Sequence, residues 1–120
     1  MKRRVLVIDD VEDQATTFAA LLRKAGHEVH IVRDGHGAVD AVYRIRPEFV
    51  FIDLALPGMD GWHVAKLLRS DPSFEEMRII AVTGFADDAA RRRSREAGID
   101  WHLVKPIDMA FVESLLGRGS

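Results

Sequence analysis

Short apolar runs alternate with helical patterns five times along this chain of 120 residues. The first run, Val5-Leu6-Val7-Ile8, is continuously apolar and mostly β-branched, which is typical of a strand buried on both faces. Similar runs cover residues 29–32, 49–52, 79–82 and 101–104. Between them, apolar residues recur at spacings of three and four, which indicates amphipathic helices. This alternation predicts an α/β fold with a parallel sheet, helices on both faces and right-handed crossovers.

Turn and capping residues predict where these elements end. We expect Gly26 to end the first helix as a left-handed cap, Asp34-Gly35 to form a turn, and Asp71-Pro72 to break the third helix. Residues 56–61 are expected to form a loop, and Asp87 to cap the fourth helix. The last helix is predicted to begin near Ile107. The expected core includes Phe18, Leu22, Val42, Phe111 and Leu115.

The composition indicates one soluble domain without special chemistry from cysteine. The chain has 48% hydrophobic residues, a formal net charge of -2 and no Cys, which excludes disulfides, a thiolate nucleophile and cysteine-ligated zinc. The near-neutral charge gives no nucleic-acid signature, and no apolar stretch approaches the length of a membrane span. We expect a cytoplasmic protein with a single domain over residues 1–120, of which 117–120 form a tail, and without an output domain.

Polar residues stand where the predicted strands end. Asp9 and Asp10 follow the first strand, Asp53 ends the third, Thr83 ends the fourth and Lys105 follows the fifth. Because the carboxyl ends of parallel strands meet at one edge of the sheet, where such folds bind ligands, we expect these side chains to converge.

Three neighbouring carboxylates repel one another, and a divalent cation would relieve this repulsion. Oxygen ligands, with no Cys in the chain and no His at this edge, favour Mg²⁺ over zinc. An Asp beside Mg²⁺, a Lys and a hydroxyl is a plausible phosphoryl acceptor, because the carboxylate can attack while the cation and the ammonium neutralise charge on the phosphoryl oxygens.

The ordered set of motifs at residues 4–117 resembles the receiver domain of two-component response regulators. The set comprises the acid pair Asp9-Asp10, the segment from Asp53 to Gly61 with its Pro-Gly-Met-Asp-Gly ending, the triplet Val82-Thr83-Gly84 and the pair Lys105-Pro106. The resemblance implies a flavodoxin-like (βα)5 doubly wound sheet with strand order 2-1-3-4-5. It also implies a signalling switch rather than an enzyme. Such a switch catalyses only its own phosphorylation and slow autodephosphorylation.

The resemblance assigns a role to each matching residue. Asp53 would be the phosphoacceptor and would also ligate Mg²⁺, for which Mn²⁺ can substitute. Asp10 would bind the cation directly and Asp9 through water, and the main-chain carbonyl of Ala55 would be a further ligand. Lys105 would pair with the carboxylates and then with the acyl phosphate. Thr83 would donate its hydroxyl to a phosphoryl oxygen as the switch step.

One position departs from the usual receiver pattern. Receivers commonly carry Tyr or Phe three residues before the Lys of the fifth strand, and His102 stands there. This predicts intact phosphorylation but a switch whose coupling to the output surface is weaker or depends on pH. Ala55 and Phe85, two residues beyond Asp53 and Thr83, would flank the approach of hydrolytic water.

Other conspicuous residues have simpler interpretations. The run Arg91-Arg92-Arg93 with Arg95 is interpreted as a solvated helix face, because acids surround it and no aromatics interleave. Two tryptophans and four histidines remain. Packing is expected for Trp62 and Trp101, and no role is assigned to His27, His30, His36 and His63, placed near turns or helix surfaces.

The resemblance implies partners of two kinds: a sensor histidine kinase or histidine phosphotransfer protein as donor, and a downstream protein on the face formed by the fourth helix, fifth strand and fifth helix. Alternatives are the receiver segment of a hybrid kinase in a phosphorelay, and a non-phosphorylated pseudo-receiver scaffold. A phosphatase resembling haloacid dehalogenases is more remote, because it needs a second acid where Ala55 stands. A flavodoxin is disfavoured because the acidic segment 11–14 would repel a flavin phosphate.

Overall fold

A computed structural model describes residues 2–85 and 87–118, the side chain of Arg118 excepted. It contains one five-stranded sheet in the order β2-β1-β3-β4-β5, and every neighbouring pair is parallel. The predicted α/β class and strand order are confirmed. The strands are β1 (Arg4–Ile8), β2 (Glu28–Val32), β3 (Phe49–Asp53), β4 (Arg78–Thr83) and β5 (Trp101–Val104).

Five helices cover the two faces of this sheet: α1 (Glu12–Lys24), α2 (Gly35–Ile45), α3 (Gly61–Arg69), α4 (Asp88–Glu96) and α5 (Met109–Arg118). A short 3-10 helix, Pro72–Phe74, follows the predicted break after α3. In the described part of the chain, no helix is both long enough and apolar enough to cross a membrane.

Two apolar clusters hold the helices to the sheet. Alternate residues of β1 face opposite sides, so that Leu6 and Ile8 pack with α2 and α3 while Val5 and Val7 pack with α1 and α5. The central strand β3 is buried over its whole length. Because both faces of the middle strands are covered, their sequences are continuously apolar instead of alternating.

The structure corrects the prediction at the last helix. Phe111, expected in the core, has 40% of its surface exposed, whereas Val112, Leu115 and Leu116 are buried. The predicted stripe mixed two faces of α5, and packing selects only one. Ile107 precedes the helix, which begins at Met109. The helix also extends through Gly117 into the predicted tail, and residues 119–120 of that tail lie outside the described residues.

Asp34-Gly35 is a helix start and not a free turn. The Asp34 side chain accepts a hydrogen bond of 2.6 Å from the Gly37 N–H and caps α2, which begins at Gly35. A capping side chain satisfies an amide that has no partner within the helix. Asp and Gly are common both in turns and at the starts of helices. Here an amphipathic stretch follows the pair, so Asp34 caps a helix.

We expect Asp34→Ala to lower the free energy of unfolding by about 1 kcal/mol, because α2 loses its cap. Asp34→Asn retains an acceptor and should change stability much less. Urea unfolding of the two variants measures the difference. Asp40→Ala, which removes only an exposed ion pair within α2, is the matched control. Equal effects at positions 34 and 40 would contradict the capping role.

His27, to which the sequence analysis assigned no role, has a structural one. This side chain is buried, its Nδ1 accepts the Arg3 N–H at 3.1 Å, and its Nε2 lies 3.0 Å from Glu113 Oε1. Since Nδ1 accepts the backbone N–H, Nε2 carries the proton and donates to the carboxylate. His27 therefore connects the segment before β1 to α5.

Candidate functional site

The carboxyl ends of four strands bring the predicted polar residues to one edge of the sheet. Asp53 is the last residue of β3 and Thr83 the last of β4. Asp9 directly follows β1, and Lys105 directly follows β5. The Lys105 N–H donates to the Thr83 carbonyl at 2.8 Å. This hydrogen bond continues the β4–β5 pairing to the carboxyl edge of the sheet and places Lys105 at that edge.

The Asp53 carboxylate is held at both oxygens. Its Oδ1 accepts the Ala55 N–H at 2.8 Å, and its Oδ2 lies 3.0 Å from Lys105 Nζ. Only 8% of the Asp53 surface is exposed. Because the fold fixes both oxygens and limits solvent, the side chain is presented in one orientation toward the open edge of the sheet.

Asp9, Asp10 and Asp53 form a compact acidic cluster. One ligand oxygen from each lies within 4.8 Å of the others. Burial, the largest cause, raises the pKa of Asp9, and the charges of Asp53 and Asp10 raise it further. The Val11 N–H, which donates to Asp9 Oδ1 at 2.9 Å, and the Lys105 ammonium act in the opposite direction.

The donor set fits a hard divalent cation. All three side chains offer oxygen, and none of the cluster's ligands is nitrogen or sulfur. The negative charges of the three carboxylates also need compensation. Among the described residues, the ammonium of Lys105 is the one cation hydrogen-bonded to the Asp53 carboxylate. Of the predicted ligands, the carbonyl of Ala55 belongs to an exposed residue, and its role stays a prediction.

Gln14 is a site residue that the sequence analysis missed. Its Oε1 accepts a hydrogen bond from Lys105 Nζ at 2.7 Å, so the ammonium is shared between α1 and Asp53. The one signal available was its place in the first turn of α1, four residues after Asp10. This amide orients the Lys105 side chain without adding charge.

Gly61 brings α3 against the site. A Cβ at this position would lie 2.8 Å from the Asp53 carbonyl oxygen and 2.9 Å from Leu54 Cα, both of which are backbone atoms. The Gly61 N–H donates to the Leu54 carbonyl at 3.1 Å. Glycine is therefore required for the close approach of α3 to the backbone of the predicted phosphoacceptor.

Thr83 is buried at the adjacent strand end, with 3% of its surface exposed. Its hydroxyl accepts the Phe85 N–H at 3.3 Å. Phe85 itself is 51% exposed, and its place beside the approach of water stays a prediction. The switch role of Thr83 remains a prediction.

His102 is half-buried on the edge strand β5, where it pairs with Ala81 of β4. Its Nδ1 lies 3.1 Å from the hydroxyl of Ser94, a buried residue of α4. Burial, the largest cause, lowers the pKa of His102 below its ordinary value of 6.5, and the charge of Arg91 lowers it further. The backbone of Phe85 and the charge of Asp87 oppose this shift.

The lowered pKa of His102 predicts a pH dependence of stability. Below about pH 6.5 the unfolded chain binds the proton more readily than the folded chain, so the stability contribution of neutral His102 is present above this pH and is lost as the pH falls through the folded pKa. We expect His102→Phe to lose less thermal stability than the unmodified protein between pH 7.5 and pH 5.5. Parallel melting-temperature profiles for the two proteins would contradict this prediction.

The arginines of α4 are mainly solvent-exposed, as predicted. All four lie at exposed positions. Arg93 also stacks over the Trp62 ring, 4.1 Å from its centroid, and its guanidinium lies 3.4 Å from Asp60 Oδ2. The expected packing of Trp62 and Trp101 is observed, since both lie against the apolar clusters.

The chain thus combines a doubly wound five-stranded sheet with an acidic cluster and a lysine at its carboxyl edge. The family profile of the response regulator receiver domain matches residues 5–116. The chain belongs to this family, the receiver domains of two-component response regulators, which are signalling switches rather than classical enzymes.

Individual relatives agree with this assignment. The chain is 31% identical over 116 residues to the polar-differentiation response regulator DivK of Brucella anthropi, a match that covers 96% of this chain and 94% of that protein. It is 32% identical to the response regulator PleD of Caulobacter vibrioides over 90% of this chain, but it spans only 24% of that longer protein.

A solved structure shows the same fold with a cation present. The receiver domain of a sensor histidine kinase from Pseudomonas aeruginosa, with a magnesium ion coordinated in its active site cleft, superposes with a TM-score of 0.88. The two chains are 30% identical, and the match covers 98% of this chain and 97% of that one.

Proposed function

We propose that this chain is a phosphoryl-accepting switch in which Asp53 takes the phosphoryl group from a phosphohistidine. The observation that carries this proposal is the placement of the Asp53 carboxylate, 3.0 Å from Lys105 Nζ and within the cluster of three acids. In the transfer, a carboxylate oxygen bonds to phosphorus as the P–N bond breaks, and the electron pair of that bond stays on the imidazole nitrogen.

The residues around Asp53 supply orientation and charge. The Ala55 N–H holds one carboxylate oxygen in place, and the Lys105 ammonium neutralises charge that accumulates on the transferring phosphoryl oxygens. Gln14 keeps that ammonium at the site. The buried hydroxyl of Thr83 would then turn to donate to the acyl phosphate and so report its presence.

Asp9, Asp10 and Asp53, with the Ala55 carbonyl, would hold Mg²⁺ or Mn²⁺ at this edge of the sheet. When bound, the cation supplies positive charge that offsets both the carboxylates and the phosphoryl oxygens. The oxygen-only donor set of the acidic cluster and the pKa of Asp9, which burial and its neighbours raise, support this proposal.

The donor would dock in a groove beside the site. A cavity of about 500 Å³ lies between α1 and the start of α5, and it is lined by Asp53 and Lys105 together with apolar side chains such as Leu21 and Ile107. Leu21 is 45% exposed. An amphipathic helix of a histidine kinase or phosphotransfer protein, with its phosphohistidine facing Asp53, fits this combination.

The output partner would be a protein that binds the surface formed by α4, β5 and α5. Three apolar side chains on these elements or beside them are exposed: Phe85 by 51%, Val104 by 40% and Phe111 by 40%. A receiver acting alone and a receiver within a hybrid kinase would share this chemistry and this surface.

Intact-protein mass spectrometry after incubation with acetyl phosphate tests the proposal. We expect the mass of one phosphoryl group to be added only when Mg²⁺ is present. The same gain in the presence of a chelator would contradict the role of the acidic cluster. If the folded protein gains no mass from acetyl phosphate or from a phosphohistidine protein, the chain is a scaffold and not a switch.

A further inference from the structure

A buried hydrogen-bond chain connects α3, α4 and β5 on the side of the sheet away from the donor groove. The Trp62 indole Nε1–H donates to Ser94 Oγ at 2.9 Å, and Ser94 Oγ lies 3.1 Å from His102 Nδ1. Ser94 is 2% exposed, so water does not compete for its hydroxyl. The indole N–H, the Ser94 hydroxyl and His102 Nδ1 therefore satisfy one another inside the protein.

The indole N–H can only donate, which sets the direction of the first bond: Ser94 Oγ accepts from Trp62. The Ser94 hydroxyl donates in the second bond, to His102 Nδ1, when the imidazole proton is on Nε2. That atom is buried and has no hydrogen-bond partner among the described residues.

Because Nε2 has no hydrogen-bond partner within the part of the chain that the structure describes, the position of the His102 ring depends on the bond between Nδ1 and Ser94. A buried polar atom without a hydrogen-bond partner costs free energy, so the bond at Nδ1 is the side-chain hydrogen bond that favours the observed ring orientation. A side chain held in this way can be moved by a ligand that favours another orientation.

Both ends of the Trp62–Ser94–His102 hydrogen-bond chain lie near the proposed phosphorylation site. At one end, Trp62 directly follows Gly61, whose backbone packs against the Asp53 carbonyl. At the other, His102 precedes Val104, the β5 partner of Thr83, by two residues. Arg93, stacked on Trp62 and paired with the α3 cap Asp60, further holds α4 to α3.

We propose that Ser94 is the positioning residue for His102: its hydroxyl holds the imidazole against α4 and stabilises the unphosphorylated arrangement of the α4–β5 surface, and phosphorylation acts by releasing this bond. The proposal rests on the proposed function of Asp53. It extends that function by assigning the coupling between Asp53 and the α4–β5 surface to the hydrogen-bond chain Trp62–Ser94–His102, in place of an aromatic ring alone.

Equilibrium titration with beryllium fluoride and Mg²⁺ tests the assignment, because this phosphoryl analogue binds a carboxylate reversibly. If Ser94 stabilises the unliganded arrangement, Ser94→Ala raises the population of the other arrangement and tightens analogue binding by about fivefold, the effect of one net hydrogen bond. Trp62→Phe removes the indole donor but keeps an aromatic ring at this position, and we expect a smaller change in the same direction. The double variant should match Ser94→Ala alone.

Ser114→Ala is the matched control, since its hydroxyl bonds within the exposed face of α5. It should leave the analogue affinity unchanged. Nuclear magnetic resonance gives a second readout: the analogue should shift the Trp62 indole N–H and the His102 ring nitrogens together in the unmodified protein, and Ser94→Ala alone should move the indole signal in the same direction.

The outcomes separate the two proposals. If the analogue binds every variant with the same affinity and leaves the Trp62 indole unshifted, Ser94 has no positioning role although Asp53 functions. If the analogue binds neither the unmodified protein nor folded Ser94→Ala, the proposed function of Asp53 fails, and the coupling fails with it. Weaker binding to Ser94→Ala would show that the bond belongs to the phosphorylated arrangement.

Discussion

Asp53→Asn should abolish the phosphoryl gain from acetyl phosphate or a phosphohistidine donor. The amide has the shape of the carboxylate and can still accept the Ala55 N–H, but it is not a competent nucleophile for phosphorus. The substitution also removes the negative partner of Lys105 and one of the three negative charges of the acidic cluster. We therefore expect complete loss of the added mass while the melting curve stays cooperative.

Asp13→Asn is the matched control for this experiment. Asp13 lines the same groove but is exposed and lies outside the acidic cluster. With acetyl phosphate as donor, its variant should gain the phosphoryl group at nearly the rate of the unmodified protein. Labelling of Asp53→Asn at a comparable rate, with peptide mapping to another aspartate, would show that the acceptor has been misplaced.

Asp10→Asn should separate cation binding from fold stability. We expect the affinity for Mg²⁺ to fall by about tenfold or more, because the site loses a charged ligand. In a chelator, however, the variant should be at least as stable as the unmodified protein. The reason is that the Asp10 charge contributes to the repulsion that raises the pKa of Asp9.

Thermal melting with and without Mg²⁺ measures both effects at once. The unmodified protein should melt at a higher temperature when the cation is present, since ligand binding to the folded state stabilises it. Asp10→Asn should lose most of this increment, and Asp13→Asn should keep it. An unchanged increment in Asp10→Asn would place the cation elsewhere.

Much of the candidate site followed from local sequence order. Asp9, Asp53 and Thr83 each stand at the end of an apolar strand, and parallel strands must bring such positions to one edge. Gly61 was assigned only to a loop, because its close approach to the Asp53 carbonyl depends on how α3 returns to the sheet.

The sequence alone determined the β-α alternation, the parallel sheet and the polar residues at its carboxyl edge, because strand and helix periodicity and strand ends are local properties. Tertiary structure decided which face of α5 is buried and so exposed Phe111. It also decided that His27 lies between β1 and α5, that Gln14 reaches Lys105, and that Ser94 joins Trp62 to His102. These contacts join residues far apart in the chain, and their geometry exists only once the helices have packed on the sheet.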